Sequence, residues 1–183
     1  MEFERVLRKI LKEFRKGNIH YALIGGFALG ALGIPRATFD LDFLVEAEEL
    51  EALDKILRKL GYHLYFRTEN VSHFRAHNPQ WGSLDFIHAF RKISLRMLER
   101  AKERKIFNGK ESIRILLPED IIGLKVQAIA NDPLRRIKEL ADIEALVDLY
   151  RERLDWQNLK EYFSLFEMEE EFRRLKTRIK DVK

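Results

Sequence analysis

Two features of this sequence have the residue types and spacing to do chemistry. They are the pair Gly25-Gly26 and, with thirteen residues between, the run Asp40-Leu41-Asp42. Glycines let backbone N–H groups approach a phosphate with no Cβ in the way, above all where a strand gives way to a helix. Tyr21, Ala22, Leu23 and Ile24 read as a short buried strand that the glycines break, and residues 27–32 as a short helix after them. Residues 38–45 alternate as a strand does, so Asp40 and Asp42 share one face while Phe39, Leu41 and Phe43 take the other. Two carboxylates placed in this way suit a divalent cation. A third candidate, Asp85, sits among Leu84, Phe86 and Ile87, where a charge is costly unless a cation or hydrogen-bond donors compensate it. Three carboxylates from two strands can hold two metal ions about 4 Å apart, one neutralising a triphosphate and the other activating a hydroxyl. A phosphate cradle beside an acidic metal site is the chemistry of moving a nucleotide.

The surrounding pattern predicts the elements that must position these groups. Val6, Leu7, Ile10, Leu11 and Phe14 recur at helical spacing and Gly17 follows as a stop. Leu50, Leu53, Ile56, Leu57 and Leu60, ended by Gly61, predict a helix of about fourteen residues after the Asp strand. Residues 62–66, 71–76 and 83–88 read as successive strands of one sheet, and Asn108-Gly109 as the turn of a tight hairpin. From Pro118 onward the pattern is helical, with a break at Asn131-Asp132-Pro133, a helix start at Asp155 and a last helix over 167–180. The expected class is α/β (α+β): a mixed sheet flanked by helices over residues 1–117, then a helical C-terminal part, 118–183, packed on that core.

Composition limits the function classes. A chain of 183 residues with 46% hydrophobic content can bury a substantial core. No run approaches the roughly twenty apolar residues of a membrane span. Nor does the charged start, with Glu4, Arg5, Arg8 and Lys9, look like a secretory leader. The expected location is the cytoplasm. The sequence has no cysteine, which excludes disulfides, thiolate zinc sites and cysteine nucleophiles, and leaves a hard cation as the expected metal. A net charge of +4 permits nucleic-acid binding without demanding it.

The order Gly25-Gly26, Asp40-x-Asp42 and then Asp85 resembles the nucleotidyltransferase superfamily that includes DNA polymerase beta, and within it the prokaryotic branch of AbiEii-type toxins. The resemblance covers roughly residues 20–150. It implies that Gly25 and Gly26 contact nucleotide phosphates, that Asp40 and Asp42 bind metal, and that Asp85 completes the site and helps activate the acceptor hydroxyl. It implies Mg²⁺ at a two-metal site, with Mn²⁺ as the substitute. The AbiEii-like branch has an Arg-x-Thr, matched by Arg36-Ala37-Thr38, and helical motifs matched by Pro118-Glu119-Asp120, Lys125 and Lys138-Glu139-x-x-Asp142; Glu139 stands where that branch has Asp. The implied reaction transfers a nucleoside monophosphate from an NTP to an acceptor hydroxyl with release of pyrophosphate. RNA, especially tRNA, or a protein side chain is the leading acceptor class, an aminoglycoside-like small molecule the next, and a cognate antitoxin a further partner. The alternative is a non-catalytic nucleotide-binding or antitoxin-like module with the same fold.

Several residues carry two readings. Gly25 and Gly30 fit the outer positions of a P-loop, but Ala31-Leu32 stands where Lys-Ser/Thr is required, so that motif is excluded. Arg36 and Thr38 either meet phosphate or pair with Glu46 and cap the strand. Lys125 either reaches the triphosphate or is a solvent-exposed helix lysine. Lys138 and Asp142 either join the site or form a helix-surface ion pair. His63, His73, His77 and His88 show no metal-ligand spacing, and His88 is expected as a packed strand histidine. Arg173, Arg174, Lys176 and Arg178 either track an RNA backbone or form a solvated helix face relieved by Glu169, Glu170 and Glu171.

Overall fold

Helical spacing puts Val6, Leu7, Ile10, Leu11 and Phe14 on one side of α1 (Phe3–Lys16), and all five are buried in the computed structural model. The structure describes residues 3–38 and 40–181; Phe39, expected on the buried side of the Asp strand, lies outside them. Two compact units make up the chain, Met1–Leu116 and Leu117–Lys183.

In the first unit α1 is followed by β1 (Tyr21–Ile24), α2 (Gly25–Ala31), β2 (Leu41–Glu46) and α3 (Leu50–Lys59). Then come β3 (Tyr62–Arg67), β4 (Val71–Ala76), β5 (Ser83–Ala89), α4 (Lys92–Arg100), β6 (Lys102–Ile106) and β7 (Glu111–Ile115). The strands form one seven-stranded sheet in the order β3-β4-β5-β2-β1-β7-β6. Pairing is parallel for β2 with β5 and for β1 with β7, and antiparallel elsewhere, so the mixed α/β sheet expected from the sequence is present. One face carries the core: Phe43 stacks on Phe86 with ring centroids 5.4 Å apart, Phe74 meets Phe86 edge-on, and Phe14 of α1 meets Phe43 at 5.7 Å. Because side chains alternate along a strand, burying Leu41 and Phe43 on that face turns Asp42 to the other.

The second unit is helical: α5 (Pro118–Asn131), α6 (Arg136–Tyr150), α7 (Trp156–Leu165) and α8 (Glu169–Asp181). Asp155 caps α7, its carboxylate accepting the N–H groups of Gln157 and Asn158 at 3.0 Å. No helix among the described residues is long and apolar enough to cross a membrane.

Three local expectations change. The long helix after the Asp strand is a 3-10 turn, Ala47–Glu49, followed by the ten residues of α3; Glu49 is tied to the backbone N–H of His20, which holds the first turn tight. The Asn108-Gly109 hairpin has a four-residue loop between Ile106 and Glu111, and Phe107 and Asn108 join Gly109 at positive φ. The helix α4 has no counterpart in the expected elements. Its N-cap, Arg91, makes no side-chain cap bond and only Met97 and Leu98 of its residues are buried, so the usual signals are missing.

Candidate active site

The site is assembled where β1 gives way to α2. Gly25 has φ +67°, in the left-handed region, and a Cβ built there would collide with the carboxylate of Asp42. Only glycine lets the chain turn this close to that side chain. A Cβ on Gly26 would lie 2.8 Å from Cβ of Thr38 and 3.5 Å from Cγ of Arg36. The two glycines therefore bring Asp42, Thr38 and Arg36 around one turn. Thr38 Oγ1 donates to the Asp40 carbonyl at 3.1 Å, which orders the segment entering β2.

Asp42 pairs in register with Asp85 on β5 and with Ile24 on β1. Neighbouring strands lie about 4.8 Å apart and opposed residues share a face, so the two carboxylates stand side by side. Asp40 precedes β2 rather than lying in it, and its Oδ1 accepts a hydrogen bond from Ser83 Oγ. Asp85 Oδ1 is 2.6 Å from Nδ1 of His73, its register partner on β4. All three carboxylates are part-exposed, and their oxygens are less tightly gathered than the ligand atoms of His20, Glu46 and Glu49. That is the one His/Asp/Glu group among the described residues whose ligand atoms all fall within 4.8 Å. It lies at the opposite end of β1 and β2, where Tyr21 pairs with Val45.

Ser83 and His73 are the site neighbours that sequence reasoning passes over. Ser83 stands two residues before Asp85 and so shares its strand face, a signal that was available. The His73 contact depends on the register of β4 against β5, which the irregular connection through Pro79–Trp81 hides.

A family model described as "uncharacterised nucleotidyltransferase" matches residues 1–175 of this sequence. The chain belongs to that family. It is an enzyme of the nucleotidyltransferase class, in agreement with the mixed sheet. No curated protein matches the nucleotidyltransferase in sequence. Solved structures with a similar fold include the antibiotic-resistance factor ANT(2″)-Ia, at TM-score 0.67 and 16% identity over 99% of this chain and 100% of that one. The lincosamide antibiotic adenylyltransferase LnuA is similar at TM-score 0.58 and 16% identity over 80% and 97% of the two chains. A nucleotidyltransferase-like protein from Paracoccidioides brasiliensis is similar at TM-score 0.53 and 16% identity over 90% and 89%.

The remaining candidate residues of the nucleotidyltransferase have structural partners. Arg36 and Glu46 flank opposite ends of β2, about 17 Å of strand, so the pairing considered for them is excluded; Glu46 faces His20 at 3.0 Å instead. Lys125 is not a solvent-exposed helix lysine: it is 9% exposed, and its Nζ donates to Glu139 at 2.7 Å and Asp142 at 2.6 Å. Asp142 thus pairs with Lys125 across the two helices. Arg135 closes the network on Glu139 at 2.6 Å. Burial opposes the charged form of Glu139, yet the hydrogen bonds and charges of Lys125 and Arg135 outweigh it and hold the carboxyl below its ordinary range. Asp120 is buried and accepts Tyr162 Oη at 2.6 Å.

His88 is packed as expected. Its Nδ1 donates to the Glu69 carbonyl at 2.8 Å, which leaves Nε2 to accept from Ser72 Oγ at 2.9 Å. Arg174, Lys176 and Arg178 of the basic C-terminal stretch have partners. Arg178 meets Glu144 and Asp148, Arg174 meets Glu170, and Lys176 lies 4.4 Å from the ring centre of Trp156.

Proposed function

We propose that residues 1–117 form a transfer core that moves a nucleoside monophosphate from an NTP to an acceptor hydroxyl, with 118–183 as its helical companion. The observation that carries this reading is the register of Asp42 with Asp85 on one sheet face, with the Gly25 turn against Asp42. Backbone N–H groups at Gly25 and Gly26, with Arg36 and Thr38 beside them, bind the phosphates.

Asp40, Asp42 and Asp85 would hold Mg²⁺, with Mn²⁺ as substitute, and an all-oxygen donor set in a chain without cysteine fits those ions. When bound, the cation supplies charge neutralisation for the triphosphate and lowers the pKa of the attacking hydroxyl. The acceptor oxygen forms a bond to the α-phosphorus as the bond to the β-phosphate oxygen breaks; pyrophosphate leaves and Asp85 receives the acceptor proton. His73, hydrogen-bonded to Asp85 Oδ1, fixes that carboxylate's orientation. The Arg36-Ala37-Thr38 likeness to AbiEii-type toxins extends the proposal to an RNA or protein side-chain acceptor and a cognate antitoxin, with the cytoplasm as the proposed location.

Incubation with each α-labelled NTP, Mg²⁺ and total RNA or lysate tests the transfer. Asp85→Asn should lose transfer while nucleotide binding survives. Equal transfer by the variant and the parent removes Asp85 from the mechanism, and nucleotide binding with no transfer to any pool establishes the non-catalytic alternative.

A further inference from the structure

The row of residues that contains Asp42 and Asp85 continues across the sheet. Asp85 pairs with His73 on β4, and His73 with Phe66 on β3, the edge strand. The Phe66 ring stacks on the His73 imidazole, centroids 5.6 Å apart and planes 28° apart. In the next row Ser83 pairs with Arg75, and Arg75 with His63, whose ring lies 5.0 Å from that of His77. A bulge between Leu64 and Phe66 leaves Tyr65 over this row, with the Arg75 guanidinium 3.6 Å from its ring centre. Tyr65 is 58% exposed and Phe66 48%. Strands β3, β4 and β5 contain a single acidic residue, Asp85 itself.

Large exposed rings on a sheet face contribute little to the core and leave apolar surface in water, which marks a contact surface. Flat rings interleaved with a guanidinium match one ligand class in particular: bases that stack and a phosphate backbone that seeks positive charge. Beyond the carboxylates of the candidate site, β3 and β4 offer a polycationic acceptor no acidic residue. We propose that this face of β3 and β4 binds the end of a single-stranded nucleic acid, its bases stacked on Tyr65 and Phe66 and its backbone against Arg75, so that its terminal hydroxyl meets Asp85. The assignment rests on the reading of Asp85 as the group that receives the acceptor proton.

The test is fluorescence anisotropy of the full chain with short labelled single-stranded RNA and DNA oligomers at two salt concentrations. The parent protein should bind at least one of them. Tyr65→Ala and Phe66→Ala should each weaken binding roughly five- to 150-fold, the span of losing one stacked base. Arg75→Gln should flatten the salt dependence. Thermal melts of these variants, alone and with NTP and Mg²⁺, should match the parent, since folding and nucleotide binding use other residues. Absence of binding to both oligomers overturns the proposal, as does binding that the substitutions leave unchanged. Sedimentation that shows self-association through this edge, abolished by the same substitutions and without oligomer binding, also overturns it. In each of those cases NTP-dependent stabilisation that persists leaves the transfer reading intact, whereas its loss in the parent refutes that reading separately.

Discussion

Gly25 and Gly30 are the same residue type in one short helix, yet they should respond oppositely to substitution. At Gly25 an alanine would adopt a left-handed conformation that costs about 1–2 kcal/mol and would also drive its Cβ into the Asp42 carboxylate. Gly25→Ala should therefore lose at least about 2 kcal/mol in urea unfolding and displace Asp42. At Gly30 nothing lies within 4 Å of a built Cβ, so Gly30→Ala should be neutral or stabilising by up to about 1 kcal/mol. Equal effects would mean that the close approach of Gly25 to Asp42 is wrong. His88 sets a pH dependence. Burial pushes its imidazole below the ordinary value, against the opposing hydrogen bond to the Glu69 carbonyl. The unfolded chain then binds a proton before the folded one does, so stability falls as pH drops below about 6.5 and is insensitive to His88 above it. Melting midpoints between neutral and mildly acidic pH should fall, and fall less steeply in His88→Gln.

Among the helices, α5 and α6 are joined by charges. Lys125 is held between Glu139 and Asp142, and these acids are themselves only 2% and 6% exposed. The AbiEii-like residues Lys125, Glu139 and Asp142 are thus a helix-to-helix clamp in this structure. Removal of the cation strands a buried carboxylate, so Lys125→Ala should cost roughly 3–5 kcal/mol, read by urea unfolding. That is the reverse of what an exposed phosphate-binding lysine would show. Lys125→Met combined with Asp142→Leu should recover much of the loss, because the pair is removed together. On the sheet side, the register of β2 against β5 places Asp42 beside Asp85, and a one-residue slip would turn one of them to the core face.

At the scale of the molecule, native-state ligands report on the site. If Asp40, Asp42 and Asp85 hold a cation and the Gly25 turn holds phosphate, NTP with Mg²⁺ or Mn²⁺ at a hundredfold excess over Kd adds about 2.7 kcal/mol, or roughly 5–10 °C in Tm. Asp42→Asn should abolish that shift while leaving the apo protein as stable or more so, since it removes one of two adjacent like charges. A full shift in the variant would contradict the assignment of Asp42.

The sequence alone determined the elements with strong local signals. Strands β1 and β4 fall where their apolar and β-branched runs end, the α7 cap is Asp155, and Asp42 and Asp85 stand on strands that alternate, although Asp40 lies just before its strand. Those features depend on chemistry within a few residues, which periodicity records. Tertiary structure alone decided what meets what. The pairing of His73 with Asp85, the burial of Lys125 between two acids, and the aromatic row leading from Asp85 to the sheet edge all join residues far apart in the chain. Strand order and helix packing create those contacts, and no local pattern encodes the register or the helix face that produces them.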